Sequence, residues 1–336
     1  MSLFDLPLQT SLSYLQKLAE QSLSLWDVPE DARVRLINVS ENTTYLVEAS
    51  QGYQAILRIH RENYHTLRAI ESELAWLEAL GRAKVIKTPG YFLGRNGRAI
   101  QLGNTDGLNN ARFMVLFHFV EGDAPDESVD MVYGFQELGA IAARCHDHAI
   151  SWVKPTHFER LTWDADAVFG PAATWGNWRD APLVDRDIAE VLEEVEETVC
   201  ARLAAFGKAP ERFNLIHADM RLANLLVGQE GTRLIDFDDC GHGWFLYDFA
   251  ASISFIEDDP RIPTFKAAWV RGYRLVRGLS AEDEAEIETF IMFRRMALLA
   301  WIGSHIQAPE PQQMAPNFAS ITAQIGKLYL KRHQKC

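Results

Sequence analysis

The sequence predicts an α+β protein of two lobes, the first rich in β-strand and the second mainly helical. Three observations carry that expectation. The chain has 336 residues, which is long for a single hydrophobic core. Ahead of Gly122, short apolar runs alternate with polar residues and are parted by turn-forming triplets, the period-2 signature of strands. Beyond it, apolar residues recur at helical spacing nearly to the end. Residues 1–122 are therefore expected as one domain and 123–336 as the other, with the boundary near Gly122 to Pro125.

Leu12, Leu15, Leu18, Leu23 and Leu25 recur at roughly helical spacing, so residues 9–26 are expected as an amphipathic lead-in helix packed on the first domain. RVRLINVS, TTYLVEAS and YQAILRIHR follow as a three-stranded meander, separated by SEN and SQG turn signals. HTLRAIESELAWLEALG sets Ile70, Leu74, Leu77 and Leu80 on one helical stripe, with Gly81 as the expected stop. TPGYFLGRNGRAIQL is expected as a hairpin around Asn96-Gly97, and ARFMVLFHFVEG as a further strand. In the second domain DESVDMVYGFQELGAIAARCHDHA and the acidic stretch 184–206 are expected helices, joined through the loop-like FGPAATWGNWRD. From Tyr247 onward the helical pattern breaks near SHIQAPEPQQMAP.

Composition narrows the function. Apolar residues at 48% and charged residues at 24% exclude wholesale disorder. A net charge of −13 with no Lys/Arg tract argues against a nucleic-acid partner and mildly favours a cationic or neutral substrate. Cys145, Cys200, Cys240 and Cys336 make no CxxC pair and are expected as free thiols of a reducing cytosol. The N-terminal stretch lacks the features of a secretion signal, and no 18-residue uncharged run suggests a membrane span. The expected location is the cytoplasm, without a membrane partner. Nothing in the chain specifies an oligomeric state.

The chemistry concentrates in LIHADMRLANLLVGQEGTRLIDFDD, residues 215–239. If LLV and LID pair across a turn near Gln229 to Thr232, Asn224 falls within about one rung of Asp236, and side chains so placed lie roughly 4.5 to 8 Å apart. One amide oxygen and one carboxylate suit Mg²⁺, which takes its remaining oxygen ligands from water and substrate phosphates. Asp219, at the start of the same loop and free of the metal, is suited to orient and deprotonate an attacking hydroxyl. Each residue taken singly is more often a turn or strand-end residue; the joint spacing is what singles them out.

His217-Ala-Asp219-Met-Arg-Leu-Ala-Asn224, followed by Ile235-Asp236-Phe, resembles the catalytic loop and metal-binding Asp of the protein-kinase-like phosphotransferases. With Asp239 and GHGWFLYD ending at Asp248, the chain is most similar to the aminoglycoside phosphotransferase/choline kinase family, nearest its homoserine kinase and bacterial stress-response Ser/Thr kinase branch. The similarity spans roughly residues 30 to 305. It implies a bilobal protein-kinase-like fold with a nucleotide-binding first lobe and a helical second lobe that carries the acceptor. It also implies ATP and Mg²⁺ as cofactors and a hydroxyl-bearing acceptor as partner. By resemblance Asp219 is the catalytic base, Asn224 and Asp236 are the Mg²⁺ ligands, and His217 is the structural histidine of the loop. Arg221 falls where a γ-phosphate-steadying Lys is usual, Asp239 follows the metal Asp as part of the supporting loop, and Asp248 resembles the Asp that braces the catalytic loop.

For the nucleotide, Arg58 in AILRIHR stands where a phosphate-anchoring Lys is usual, and Arg keeps the charge in bidentate form. Glu73 is its expected ion-pair partner, with Glu71 the nearest rival. The loop VSENTTY lacks GxGxxG; Ser40, Asn42 and Thr43 are expected to offer backbone N–H groups to phosphate. The His118 carbonyl and Val120 amide are the expected adenine contacts. No GxxxxGK[ST] occurs, which excludes a P-loop enzyme. RCHDH at 144–148 is expected as a polar helix end rather than a metal cluster, because neighbours on a helix diverge. Trp163, Trp175 and Trp178 either line an acceptor pocket or pack the core.

The implied activity is transfer of the γ-phosphoryl group of ATP to an alcohol, either a small amino alcohol or aminoglycoside-like molecule, or a protein Ser/Thr. Arg58 and the glycine-poor loop leave a nucleotide-sensing pseudokinase as the alternative, and a metal-dependent phosphohydrolase is the third reading.

Overall fold

The computed structural model describes residues 7–39, 42–125, 131–228 and 231–333. Its contacts gather into two compact units. The first comprises Met1–Ala79, Thr88–Glu121 and Lys154–Glu159, and the second comprises Leu80–Lys87, Gly122–Val153 and Arg160–Cys336.

In the first unit, helix α1 (Leu8–Ser22) precedes strands β1 (Arg33–Val39), β2 (Thr43–Glu48) and β3 (Gln54–Ile59), then α2 (Leu67–Arg82), β4 (Ile100–Gly103) and β5 (Arg112–His118). The strands form one antiparallel sheet in the order β1-β2-β3-β5-β4. Period-2 alternation in β2, β3 and β5 sends Tyr45, Val47, Ala55, Leu57, Ile59, Met114 and Leu116 to one face, where Leu15, Leu18 and Ala19 of α1 close the core. Arg58, one residue out of phase, faces the other way.

Two local expectations need correcting. Asn96-Gly97 does form a tight turn, with the Gly97 N–H on the Gly94 carbonyl at 2.8 Å and the Gly94 N–H on the Arg98 carbonyl at 2.9 Å, but farther out its flanks pair with β5. Tyr91 bridges Phe117 and β4 pairs with β5, so both flanks lie along β5, with residues 93–99 looping out between them. Helix α2 does not stop at Gly81; it runs to Arg82, and the left-handed residue beyond it is Lys84, at φ 54°.

The second unit holds α3 (Met131–Ser151), β6 (Leu161–Trp163), α4 (Ala165–Phe169), α5 (Arg186–Phe206), β7 (Phe213–Ile216), β8 (Leu225–Gly228), β9 (Gly231–Leu234) and β10 (Gly241–Trp244). These are followed by α6 (Tyr247–Ser252), α7 (Ile262–Arg274), α8 (Ala281–Ala285), α9 (Ile287–Ser304) and α10 (Pro309–His333). β10 lies between β6 and β7, and β8 pairs with β9 in a separate hairpin. Asp185 caps α5 through the Ile188 N–H at 2.9 Å. The break expected across 304–316 is shorter than that: α10 already begins at Pro309. Pro309 and Pro311 sit in its first turn, where N–H groups lack helical acceptors anyway, and only Pro316 lies deeper.

Helices α3 and α7 meet backbone to backbone. A Cβ at Gly139 would stand 2.0 Å from the Trp269 carbonyl oxygen, and one at Gly272 would stand 1.8 Å from that of Gln136. Gly139→Ala is therefore expected to force the helices apart and lower unfolding free energy by about 3 kcal/mol, the upper end of overpacking costs. Urea denaturation would register this as a fall in midpoint at unchanged slope.

Candidate active site

β7 leads into the loop 217–224, and the β8–β9 hairpin returns the chain to Asp236. The Ile235 N–H donates to the Asn224 carbonyl at 2.9 Å, which sets Asn224 opposite Ile235, one residue from Asp236. Ala218 and Asp236 adopt left-handed backbone, at φ 66° and 61°. Conformations of this kind persist in non-glycine residues only where the surroundings impose them.

Around Ala218 the imposing group is Asp248, whose side chain is fully buried. Its Oδ1 accepts from the Ala218 N–H at 2.8 Å, and its Oδ2 accepts from the His217 N–H at 3.2 Å and from His146 Nε2 at 2.9 Å. His146 Nδ1 then accepts from the Tyr273 hydroxyl at 3.0 Å. Burial holds the His146 pKa below its ordinary value although the Asp248 bond pulls the other way. The RCHDH run does reach the last turn of α3 at His148, but it is more than a polar end, because His146 serves as an internal partner of Asp248. Among the described residues no group of three or more His, Cys, Asp or Glu side chains gathers to hold a metal.

His217 joins the two halves of the loop. Its Nε2 faces the Ile235 carbonyl at 3.0 Å and must donate, so Nδ1 is left to accept the Asp219 N–H at 3.3 Å. The Asp219 carboxylate is side-chain exposed by 15%. Its Oδ2 accepts from Asn224 Nδ2 at 2.9 Å, and its Oδ1 lies 3.3 Å from both Arg221 Nε and Arg294 Nη2. The two arginines differ in kind. Arg294 donates a hydrogen bond, whereas Arg221 Nε has no hydrogen-bond partner despite the equal distance, so its pairing is electrostatic only. Burial pushes the Asp219 carboxyl up, but Arg221, then Arg294, with the Asn224 bond, outweigh it and hold the pKa below the ordinary carboxylate value.

Asn224 donates through Nδ2 to both the carbonyl and the carboxylate of Asp219, which turns its Oδ1 away as a remaining acceptor. Asp236 is exposed. An amide oxygen and an accessible carboxylate are hard donors of the sort that Mg²⁺ takes. Asp239 contributes its carbonyl, which accepts from Trp163 Nε1 at 2.8 Å. Arg160 holds the same segment through the Asp238 and Cys240 carbonyls. Trp163, Trp175 and Trp178 are all buried, and Trp163 and Trp175 pack with ring centroids 4.8 Å apart.

Sequence reasoning passed over Arg294 and Ser254. The available signal was FIMFRRMALLAWI, two adjacent arginines in an otherwise apolar helix, since charges placed there need partners. Arg295 finds Glu257 at 2.5 Å, and Arg294 finds Asp219.

In the first unit, Arg58 Nη1 pairs with Glu73 Oε1 at 2.7 Å, and its guanidinium lies over the Phe117 ring at 4.9 Å. Glu73 is fully buried, while its rival Glu71 is exposed. Asn42 Oδ1 accepts from the Arg61 N–H at 3.1 Å, and Thr43 opens β2 opposite Ile59. Ser40 lies outside the described residues. His118 closes β5 with its N–H on the Gly90 carbonyl at 2.8 Å and its ring against Phe92; half-buried Val120 follows it.

A family model described as the phosphotransferase enzyme family matches residues 33–286. Amicoumacin kinase of Bacillus subtilis (strain 168) is 24% identical over 283 residues, 79% of this chain and 78% of that protein. Among solved structures, a microcompartment-associated aminopropanol kinase superposes with a TM-score of 0.86 at 41% identity, covering 94% of this chain and 97% of the other. Amicoumacin kinase hAmiN, solved with AMP-PNP, Ca²⁺ and Ami, superposes with a TM-score of 0.74 at 20% identity, over 94% and 95% of the two chains, a likeness of fold. No helix among the described residues is long and apolar enough to cross a membrane.

Proposed function

The chain belongs to the phosphotransferase enzyme family, and from that premise we propose that it transfers the γ-phosphoryl group of Mg²⁺-bound ATP to the hydroxyl of a small amino alcohol such as 1-amino-2-propanol. The observation that carries the phosphotransfer reading is the divided use of Asn224. Its amide nitrogen fixes the Asp219 carboxylate, and its amide oxygen remains to join Asp236 at a cation. The acceptor class rests on the 41% identity to an aminopropanol kinase across 94% of this chain, and the net charge of −13 suits a cationic substrate.

In this reading Asp219 receives the acceptor's proton as its hydroxyl oxygen bonds to the γ-phosphorus. The bond from that phosphorus to the bridging oxygen breaks, and its electron pair leaves with ADP. Mg²⁺ held by Asn224 and Asp236 would neutralise charge on the phosphate oxygens. Arg221, not hydrogen-bonded to Asp219 through Nε, steadies the moving phosphoryl group. Arg58, aimed by Glu73, anchors phosphate; Asn42 and Thr43 shape the loop between the first strands; His118 and Val120 contact adenine through the backbone. His217, Asp239 and Asp248 hold the loops.

The test is ADP formation from Mg²⁺-ATP with 1-amino-2-propanol, ethanolamine, homoserine, an aminoglycoside and a generic Ser/Thr protein, with the product identified by ³¹P NMR. The expected result is saturable turnover and a phosphate monoester with an amino alcohol, abolished by EDTA. ADP formation with the protein alone would reassign the acceptor. Phosphate release independent of any acceptor would make the chain a hydrolase, and no turnover with bound nucleotide would make it a sensing module.

A further inference from the structure

The buried guanidinium of Arg294 has three directions of contact, and all point toward one task. Nε donates to the Ser254 hydroxyl at 3.1 Å, Nη1 donates to the Tyr247 hydroxyl at 3.1 Å, and Nη2 donates to Asp219 Oδ1 at 3.3 Å. The Trp175 and Tyr247 rings lie 5.1 and 5.5 Å from its centre. Ser254 and Tyr247 therefore fix the plane of the fork, and the remaining nitrogen is aimed at the carboxylate. Its side chain is 3% exposed, against 33% for Arg221.

Burying a guanidinium carries a desolvation cost that an apolar side chain would not incur, so packing alone does not explain its presence in α9. The neighbouring Arg295 is accounted for by Glu257 and Thr322, partners that hold α10 and the segment before α7. Arg294 instead reaches 75 residues back along the chain to the catalytic loop.

We propose that Arg294 is a positioning residue for phosphoryl transfer, fixing the rotamer of Asp219 so that one carboxylate oxygen faces the acceptor hydroxyl, while Arg221 serves the phosphoryl group. This rests on the phosphotransfer reading above. The contact at 3.3 Å is longer than a tight charge-assisted bond. Arg294 thus steers the carboxylate without sequestering it. The guanidinium's planar fork is essential, because an ammonium is a point charge that cannot meet Ser254, Tyr247 and Asp219 in one plane.

The experiment is a kinetic cycle on the full chain: wild type, Arg294→Met, Arg294→Lys, Asp219→Asn, and the Arg294→Met/Asp219→Asn double variant, with Mg²⁺-ATP affinity measured by calorimetry. Arg294→Met is expected to lower kcat on the order of 100-fold, the penalty for a misplaced catalytic group, with Mg²⁺-ATP affinity within about threefold of wild type. Arg294→Lys should recover only part of the loss. The double variant should be no slower than Asp219→Asn alone, because Arg294 acts through Asp219. Losses that multiply in the double variant, or a kcat for Arg294→Met within about threefold of wild type, would reduce Arg294 to a packing residue. A wild type without turnover on every acceptor would overturn the phosphotransfer reading itself, and this inference with it.

Discussion

Asp219→Asn is expected to lower turnover by about 10³-fold while leaving Mg²⁺-nucleotide binding intact, within the range for loss of a positioned general base. Asparagine has the same shape, but its one amide oxygen can accept from only one of the two donors, Asn224 Nδ2 and Arg294 Nη2, that the carboxylate serves together. It cannot take up the acceptor's proton. In the wild type the Asp219 carboxyl is held below the ordinary carboxylate value despite burial, which favours the protonated form, because Arg221 and then Arg294 outweigh it, and that suits the role proposed for it. Rapid-quench single-turnover measurement would separate chemistry from product release, and calorimetry would report nucleotide affinity. A variant that still turns over within tenfold of wild type would mean that the carboxylate does no more than orient.

The second large effect concerns stability. Asp248→Ala strips acceptors from the His217 and Ala218 N–H groups and from His146 Nε2, all in fully buried surroundings. Each stranded donor carries a desolvation penalty, and together they should cost about 3 to 5 kcal/mol, a large share of a typical domain's stability. Urea unfolding should show a matching fall in midpoint. Activity should fall as well, because the left-handed turn at Ala218 loses the group that holds it. An unchanged midpoint would mean that the loop maintains itself without Asp248.

How much of this was legible in the sequence depended on distance along the chain. Arg58 and Glu73 could be singled out because the stretch resembles the family's anchoring strand and following helix, and the structure pairs them at 2.7 Å with Arg58 out of phase with Leu57 and Ile59. Asn224 and Asp236 are brought near each other by one local hairpin. Asn96-Gly97 marked a turn that does close, with the Gly94 N–H on the Arg98 carbonyl, but a dipeptide does not fix which strand the outer flanks pair with, and β5 decided that. His146 and Ser254 were invisible as site residues, and Arg294 showed only as a charge in an apolar helix that needs some partner. Their partners lie dozens of residues away, and only tertiary packing brings them to Asp248 and Asp219. RCHDH looked like punctuation because nothing local reveals that His146 is fully buried.

The left-handed backbone at Ala218 and Asp236 bears on anyone who would transplant this chemistry. A peptide copied from residues 215–239 would contain every motif side chain and would relax to some other shape, since alanine, above all, does not choose that conformation unaided. A successful graft would have to import Asp248, His146 and Tyr273 as well, the scaffolding that makes the uncomfortable bend the only one available.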